Sequence, residues 1–396
     1  MAENQSPLLV QDNDTLKAFC QQVAAGGYIT VDTEFMREKT YWPRLCLVQI
    51  CAPGRRPAVI DPLADGLDLS PVDGLLHDPD LVKVVHAGRQ DLEIFFRRSG
   101  RLPAPLFDTQ VAAMILGHGE QLSYDALAAR LLGRRLDKSA RFTDWARRPL
   151  GQTQIAYAAG DVTHLCDLYE RLREELRETG RTAWFTEEMN RLTRPETFAN
   201  EAGDSWKRLK PRSDDRRFLG ILKAVAAWRE ETARTRDIPR GWVLRDEALM
   251  DLAGSKPKTP DALAGIRGVS AGLAGGAAGR DLLAVIAAAQ PLPDSALPAK
   301  PARKRASEEE TAVAALLKVL LKQQCARHRV AARLVADSAD IEKLAGGDVD
   351  VPAMKGWRFD MFGKHVAALK DGRLALAIRE GKITVIEMSP AEAREG

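Results

Sequence analysis

The chain has 396 residues, of which 45% are hydrophobic and 29% charged, with a formal net charge of +3. That is enough for two or three domains with real cores, and too little net charge to identify a nucleic-acid partner by itself. No apolar run approaches the ~20 residues of a membrane helix, Met1 to Gln11 lacks the basic and apolar stretches of a signal peptide, and five scattered cysteines without CxxC spacing point to reduced cytoplasmic thiols, excluding a disulfide framework or a zinc site.

In chain order, the pattern predicts a helix over residues 14–25, then a β-branched and aromatic strand from Tyr28 to Phe35. Leu45 to Ile50 and Ala58 to Asp61 follow as strands, separated by the turn Pro53-Gly54. A fourth strand over Leu81 to Ala87 runs into a helix beginning near Arg89, and Leu106 to Asp108 makes a short fifth. Helices are then expected at about 109–116, 123–132 and 151–178. Three early strands with short connections, followed by a β-α-β-α pattern, imply a mixed sheet flanked by helices, an α/β fold.

The composition shifts after Phe198. A basic stretch around Pro211 leads into a helix with Phe218, Ile221, Leu222, Val225 and Trp228 at helical spacing. Arg245 to Ala253 predicts another helix, Thr259-Pro260 supplies a cap with Pro at the first helical position, and Asp281 to Gln290 closes this small helical unit. Prolines 291, 293, 298 and 301 among small and basic residues mark a stiff linker. Ser307 and Glu310 form a capping box for a helix over Val313 to Leu321. The tail ends on Leu374 to Ile378 and Ile383 to Ile386, either a helix plus a strand or a hairpin.

The chemistry is carried by acids. Asp32 and Glu34 stand two apart on a strand, so they share a face. Two such carboxylates repel unless a cation lies between them or water solvates them. An exposed edge-strand pair is the alternative, but Ile29, Val31 and Phe35 read as a buried strand. Asp91 falls in the first turn of a helix, where an acid also suits the helix dipole. Tyr157 and Asp161, spaced by four in the long helix, share one face. Gly160 between them costs roughly 1 kcal/mol against Ala, which suggests a close approach. Four carboxylates balance two divalent cations, with oxygen donors suited to Mg²⁺ or Mn²⁺. Such a pair can activate water and stabilise the leaving 3′ oxygen of a phosphodiester, while Tyr157 orients the water.

The segments Thr30-Val-Asp-Thr-Glu-Phe35, His86-Ala-Gly-Arg-Gln-Asp91 and Tyr157-Ala-Ala-Gly-Asp-Val162 resemble the three exonuclease motifs of the DEDD superfamily. Tyr157 four residues before the last acid resembles the DEDDy branch; the position of the DEDDh histidine holds Ala156. Leu136 to Ser139, Asp144-Trp145, Arg148 to Leu150 and Leu45 to Ile50 are similar to the ribonuclease D family. Arg236 to Arg240 and Ile266 to Val269 resemble an HRDC domain, and Lys355 to Trp357 with Phe362-Gly363 resemble the second helical domain of that family.

The resemblance implies an RNase-H-like exonuclease domain with a mixed sheet over residues 1–200, then two all-α HRDC-like domains at 210–290 and 307–396 around a linker at 291–306. It implies a monomeric, cytoplasmic, metal-dependent 3′→5′ exoribonuclease with two divalent ions, releasing nucleoside 5′-monophosphates and trimming tRNA precursors. Asp32, Glu34, Asp91 and Asp161 would hold the metals, with Tyr157 beside them. A DNA 3′→5′ exonuclease and a catalytically silent RNA-binding protein remain alternatives. For the RNA itself, Tyr41 and Trp42 are candidates to stack on a terminal base, and Lys138, Arg141 and Arg148 to contact the backbone. Core packing for the aromatics and a solvated basic loop for the cations are equally open.

Overall fold

The computed structural model describes residues 6–137, 139–199, 201–297 and 307–388. A six-stranded sheet is built from β1 (Leu8–Val10), β2 (Tyr28–Met36), β3 (Arg44–Cys51), β4 (Ala58–Ile60), β5 (Val82–Val85) and β6 (Leu106–Asp108). Its order is β1-β4-β3-β2-β5-β6. The β2–β3–β4 meander is antiparallel, whereas β1 pairs with β4, and β5 with β2 and β6, in parallel. The sheet is therefore mixed, as the pattern of short and helical connections requires. The three-residue β1 carries too little alternation to register in the sequence.

The helices of this unit are α1 (Asn13–Ala24), α2 (Ser70–His77), α3 (Arg89–Ser99), α4 (Thr109–Ile115), α5 (Tyr124–Leu132), α6 (Gln152–Glu178) and α7 (Thr182–Leu192). The long α6 crosses β2 and β3. It is tied to β2 by the Thr30 hydroxyl, which donates to the Val162 carbonyl at 2.8 Å.

The second unit has its own core. Trp206 and Leu209 pack with the buried face of α8 (Arg216–Arg236) and with four further helices, ending on Leu292. Leu292 is 2% exposed, so the start of the predicted linker belongs to this core. Thr259 caps its helix through the Ala262 N–H, with Pro260 following as expected. Residues 298–306 lie outside the described residues.

The third unit departs from expectation twice. Its first helix, capped by the Ser307–Glu310 box, runs from Glu308 to His328. The end of the unit is not helical: Leu374–Arg379 and Lys382–Glu387 pair as a hairpin, so an all-α description fails there. Alternating Leu374, Leu376 and Val385 supply the period-two pattern that favours strands. The unit's described residues also form no separate core. Leu317, Leu320, Val335, Met361 and Phe362 join the same apolar cluster as Leu92, Phe107 and Leu168 of the sheet domain.

Candidate active site

Asp32 and Glu34 stand where β2 outruns its parallel neighbour. Pairing with β5 ends at Thr30, so the next turns of β2 are open on that side. β2 is internal, so the acids lie at the carboxyl end of a central strand and not at the sheet edge. This is where open α/β sheets bind ligands.

The turn after β5 brings Asp91 to the same place. Buried Asp108 accepts hydrogen bonds from the backbone N–H groups of Ala87 at 3.1 Å and Gly88 at 3.0 Å. A Cβ on Gly88 would come within 2.6 Å of Val85, so the close turn needs glycine. His86 is held by the Thr109 hydroxyl and the Leu122 carbonyl, which gives it a structural role. The Thr33 hydroxyl donates to Asp91, joining the first two acidic segments directly.

α6 supplies the remainder. Asp161 and Tyr157 face the cavity, and the Tyr124 hydroxyl donates to the Gly160 carbonyl at 3.1 Å. The close approach expected at Gly160 is not found; nothing lies within 4 Å of where its Cβ would be. Asp32, Glu34, Asp91, Tyr157 and Asp161 together line one cavity of about 350 Å³, with Thr33, Tyr124 and Arg141 among its other walls. Thr33 and Tyr124 were not singled out in the sequence. A threonine between two acids and a tyrosine opening a helix carry no local signal of this role.

Burial, followed by the charges of Asp91, Asp161 and Glu34, drives the Asp32 carboxyl well above its ordinary value. Burial and the same repulsion push Glu34 up to about 8. Burial raises Asp161 to about 7, against the Tyr157 hydroxyl and Arg141, and raises Asp91 to about 6, against the Thr33 hydroxyl. The Tyr157 phenol is also pushed up by burial and the neighbouring acids. Among the described residues none of the four acids is held in a salt bridge. Buried, mutually repelling oxygen donors of this kind fit a divalent cation. Among the described residues, however, no three His, Cys, Asp or Glu side chains are already gathered as a metal shell.

The substrate candidates divide. Arg141 is exposed and lines the cavity. Lys138 lies outside the described residues. Arg148 is committed elsewhere: its guanidinium donates to both Asp61 oxygens, at 2.7 and 2.6 Å, and to the carbonyls of Cys46, Trp145 and Arg147. With all five N–H groups occupied, it holds the loop before α6 and is not an RNA contact. Tyr41 is 8% exposed, and its hydroxyl donates to Glu230 of the second unit and accepts from Arg234. Trp42 lies under the Arg97 guanidinium at 3.8 Å, against Tyr41. These aromatics build the junction with the second unit, Tyr41 buried and Trp42 half-buried beneath Arg97, and neither lines the catalytic cavity. Gln49, which pairs with Asp32 across β2 and β3, is fully buried, and neither of its side-chain amide atoms has a hydrogen-bond partner among the described residues.

A mixed sheet with acids at the carboxyl end of its central strand, crossed by a helix carrying a tyrosine and a fourth acid, defines a 3′→5′ exonuclease domain. The 3′-5′ exonuclease family model matches residues 7–177, and the HRDC domain model matches residues 218–286. Ribonuclease D of Granulibacter bethesdensis is 48% identical, covering 96% of this chain and 97% of its own; that of Acidiphilium cryptum is 47% identical over similar shares. The crystal structure of Escherichia coli RNase D, described as an exoribonuclease involved in structured RNA processing, has a TM-score of 0.77 at 30% identity, covering 92% of this chain and 98% of that one. The chain belongs to the ribonuclease D family, and it is a 3′→5′ exoribonuclease.

Proposed function

We propose that this enzyme removes nucleotides one at a time from RNA 3′ ends, using Asp32, Glu34, Asp91, Asp161 and Tyr157, and that tRNA precursors are its substrates. The observation that carries this is the shared cavity: four acids from three chain segments, with a phenol beside them. Water adds to the last phosphorus, the bond to the 3′ oxygen breaks, and the products are a nucleoside 5′-monophosphate and a shortened RNA with a 3′ hydroxyl. Two divalent cations, Mg²⁺ or Mn²⁺, held by Asp32, Glu34, Asp91 and Asp161, would supply water activation and stabilisation of the leaving oxygen.

The protein's own groups do the rest. Tyr157, its phenol pushed up by burial, stays protonated at neutral pH and so donates a hydrogen bond instead of acting as base. Thr33 fixes one Asp91 oxygen. Arg141 brings positive charge to the mouth, where it suits a phosphate. Five unpaired cysteines agree with a reducing cytoplasm, and among the described residues no helix is long and apolar enough to cross a membrane. We assign a monomer.

The test is digestion of end-labelled RNA and DNA of one sequence, with Mg²⁺, with Mn²⁺ and with a chelator. Metal-dependent release of 5′-monophosphates from the RNA 3′ end is expected. Equal or faster digestion of the DNA would favour a DNA exonuclease, and no digestion of either would leave an RNA-binding protein.

A further inference from the structure

Beside the catalytic cavity lies a second cleft of about 640 Å³. The two share Glu34, Phe35 and Arg141 as a common wall, so a strand leaving one enters the other. The cleft is in the size range of ligand sites. In its wall stands Phe142, which is 91% exposed, with the Arg141 guanidinium 5.3 Å from its ring centre. The exposed cations Lys39, from the β2–β3 connection, and Arg44, the first residue of β3, line the cleft too. Glu38 and Asp144 also reach the cleft, so net charge alone does not select an anion. The selective elements are an open aromatic face and three cations around it.

We propose that this cleft holds the nucleotides immediately upstream of the scissile one, as single-stranded RNA, with Phe142 as the platform on which one base stacks. This rests on the exoribonuclease reading and adds its upstream subsite. A lone exposed phenylalanine is ordinary on a protein surface. Here it stands on the wall of a cleft continuous with the catalytic cavity, and an aromatic ring interleaved with Arg and Lys is the arrangement that binds single strands through stacking and backbone charge. Of the sequence candidates for stacking, Tyr41 is buried and Trp42 half-buried in the unit junction; of the rings that line this cleft, Trp145 is buried, Phe35 half-buried and Phe142 exposed to a base. Stacking accepts any base, so the subsite contributes affinity for unpaired RNA without sequence preference.

The experiment compares an octanucleotide with the p-nitrophenyl ester of uridine 5′-monophosphate, which occupies the catalytic cavity alone. Phe142→Ala is expected to lower the ratio of kcat/KM for octanucleotide over ester roughly 10-fold, through KM. Phe142→Trp restores it and Phe142→Leu does not, because a leucine is apolar but cannot stack. The double substitution Lys39→Gln, Arg44→Gln flattens the dependence of octanucleotide KM on salt. A ratio unchanged in Phe142→Ala, or restored equally by leucine, overturns the stacking subsite and leaves the exoribonuclease reading intact. Wild-type protein that cuts neither substrate overturns both.

Discussion

At Asp32 burial and the charges of three neighbouring acids act in the same direction, and its loss should be felt in chemistry and not in folding. Asp32→Asn removes one charge from a repelling cluster, so the fold should persist, with an unchanged or raised melting temperature. Hydrolysis should fall by at least ~100-fold, measured as 5′-monophosphate release at saturating RNA. Tyr157→Phe should cost less, because it removes one hydrogen bond and no charge. A second expectation concerns pH. The raised acids bind more protons folded than unfolded. Their unfolded values lie near 4, whereas folded Asp91, Asp161 and Glu34 sit at about 6, 7 and 8. Stability of the metal-stripped protein should therefore be greatest below pH ~4 from this cluster, and fall as pH rises to about 8. Thermal melts in chelator across that range test the sign, and added Mn²⁺ should reverse the loss at the alkaline end. Spacing places Asp32 with Glu34, and Tyr157 with Asp161, on one face; Asp91 has no such partner in the sequence and was singled out by the resemblance of its segment to an exonuclease motif. The roles of Tyr41, Trp42 and Arg148 were not legible there. Nearness in sequence to Asp32 or to α6 says nothing of partners such as Glu230, 189 residues from Tyr41, or Asp61, 87 residues from Arg148.

Most helices and strands were legible at the scale of the element. β2, β3, α1, α5 and α6 carry strong periodicity and clear ends. β1, α2 and α7 were not read, because each is short or lies where the pattern gives no boundary. The loop from Gly133 to Gly151 shows what periodicity cannot show. Among its described residues it has no regular element, yet it carries Arg141 and Phe142 to the site. Its anchor is the Asp61–Arg148 pair, with Asp61 1% exposed. Burial pushes the Asp61 carboxyl up, but Arg148, Gln11 and the Leu63 N–H outweigh it, and the net shift is downward. Arg148→Ala leaves that carboxylate buried without its cation, held only by Gln11 and the Leu63 N–H, a change expected to cost about 3 kcal/mol, measured by denaturant unfolding. It should also lower kcat/KM on RNA, since Arg141 loses its fixed position. Arg148→Lys should recover little, because one ammonium cannot replace five fixed donors.

Across the whole molecule, the second and third units attach differently. The second meets the sheet domain through a small cluster of Tyr41, Trp42, Ala233 and Val243 and through Glu230, which Arg208 and Arg240 also face. The third is joined by a continuous core and by backbone contacts. Ala331 N–H donates to the Met114 carbonyl at 2.9 Å, and Arg181 reaches the carbonyls of Ile115, His328 and Arg329. Trp357 stacks on Trp184 with centroids 4.8 Å apart. Gly117, with φ +77, lies so close to Arg329 that a Cβ would come within 2.3 Å of its carbonyl. Removing residues 307–396 should therefore destabilise the sheet domain itself, seen as a lower melting temperature and binding of an apolar-surface dye. Trp357→Ala, expected to cost about 3–5 kcal/mol, should increase hydrogen exchange in α4 and α7 as well as in the tail. Cooperative loss in one unit alone would contradict this. No sequence pattern marks the merger, because an apolar helix face looks the same whichever core it enters.

That merger has a consequence for the order in which the protein is made. Synthesis proceeds from the amino end at ~5–20 residues per second. The sheet domain emerges first, yet the side chains that complete its core extend to Val366. For a time on the order of 10 s the growing chain holds a sheet and seven helices with an uncovered apolar flank near Met114 and Trp184. During that interval the second unit, whose core is self-contained, can fold on its own. The first part of the chain to appear is thus the last to be finished, and it is the part that carries the catalytic cavity. A stalled or shortened nascent chain should expose the flank to chaperones.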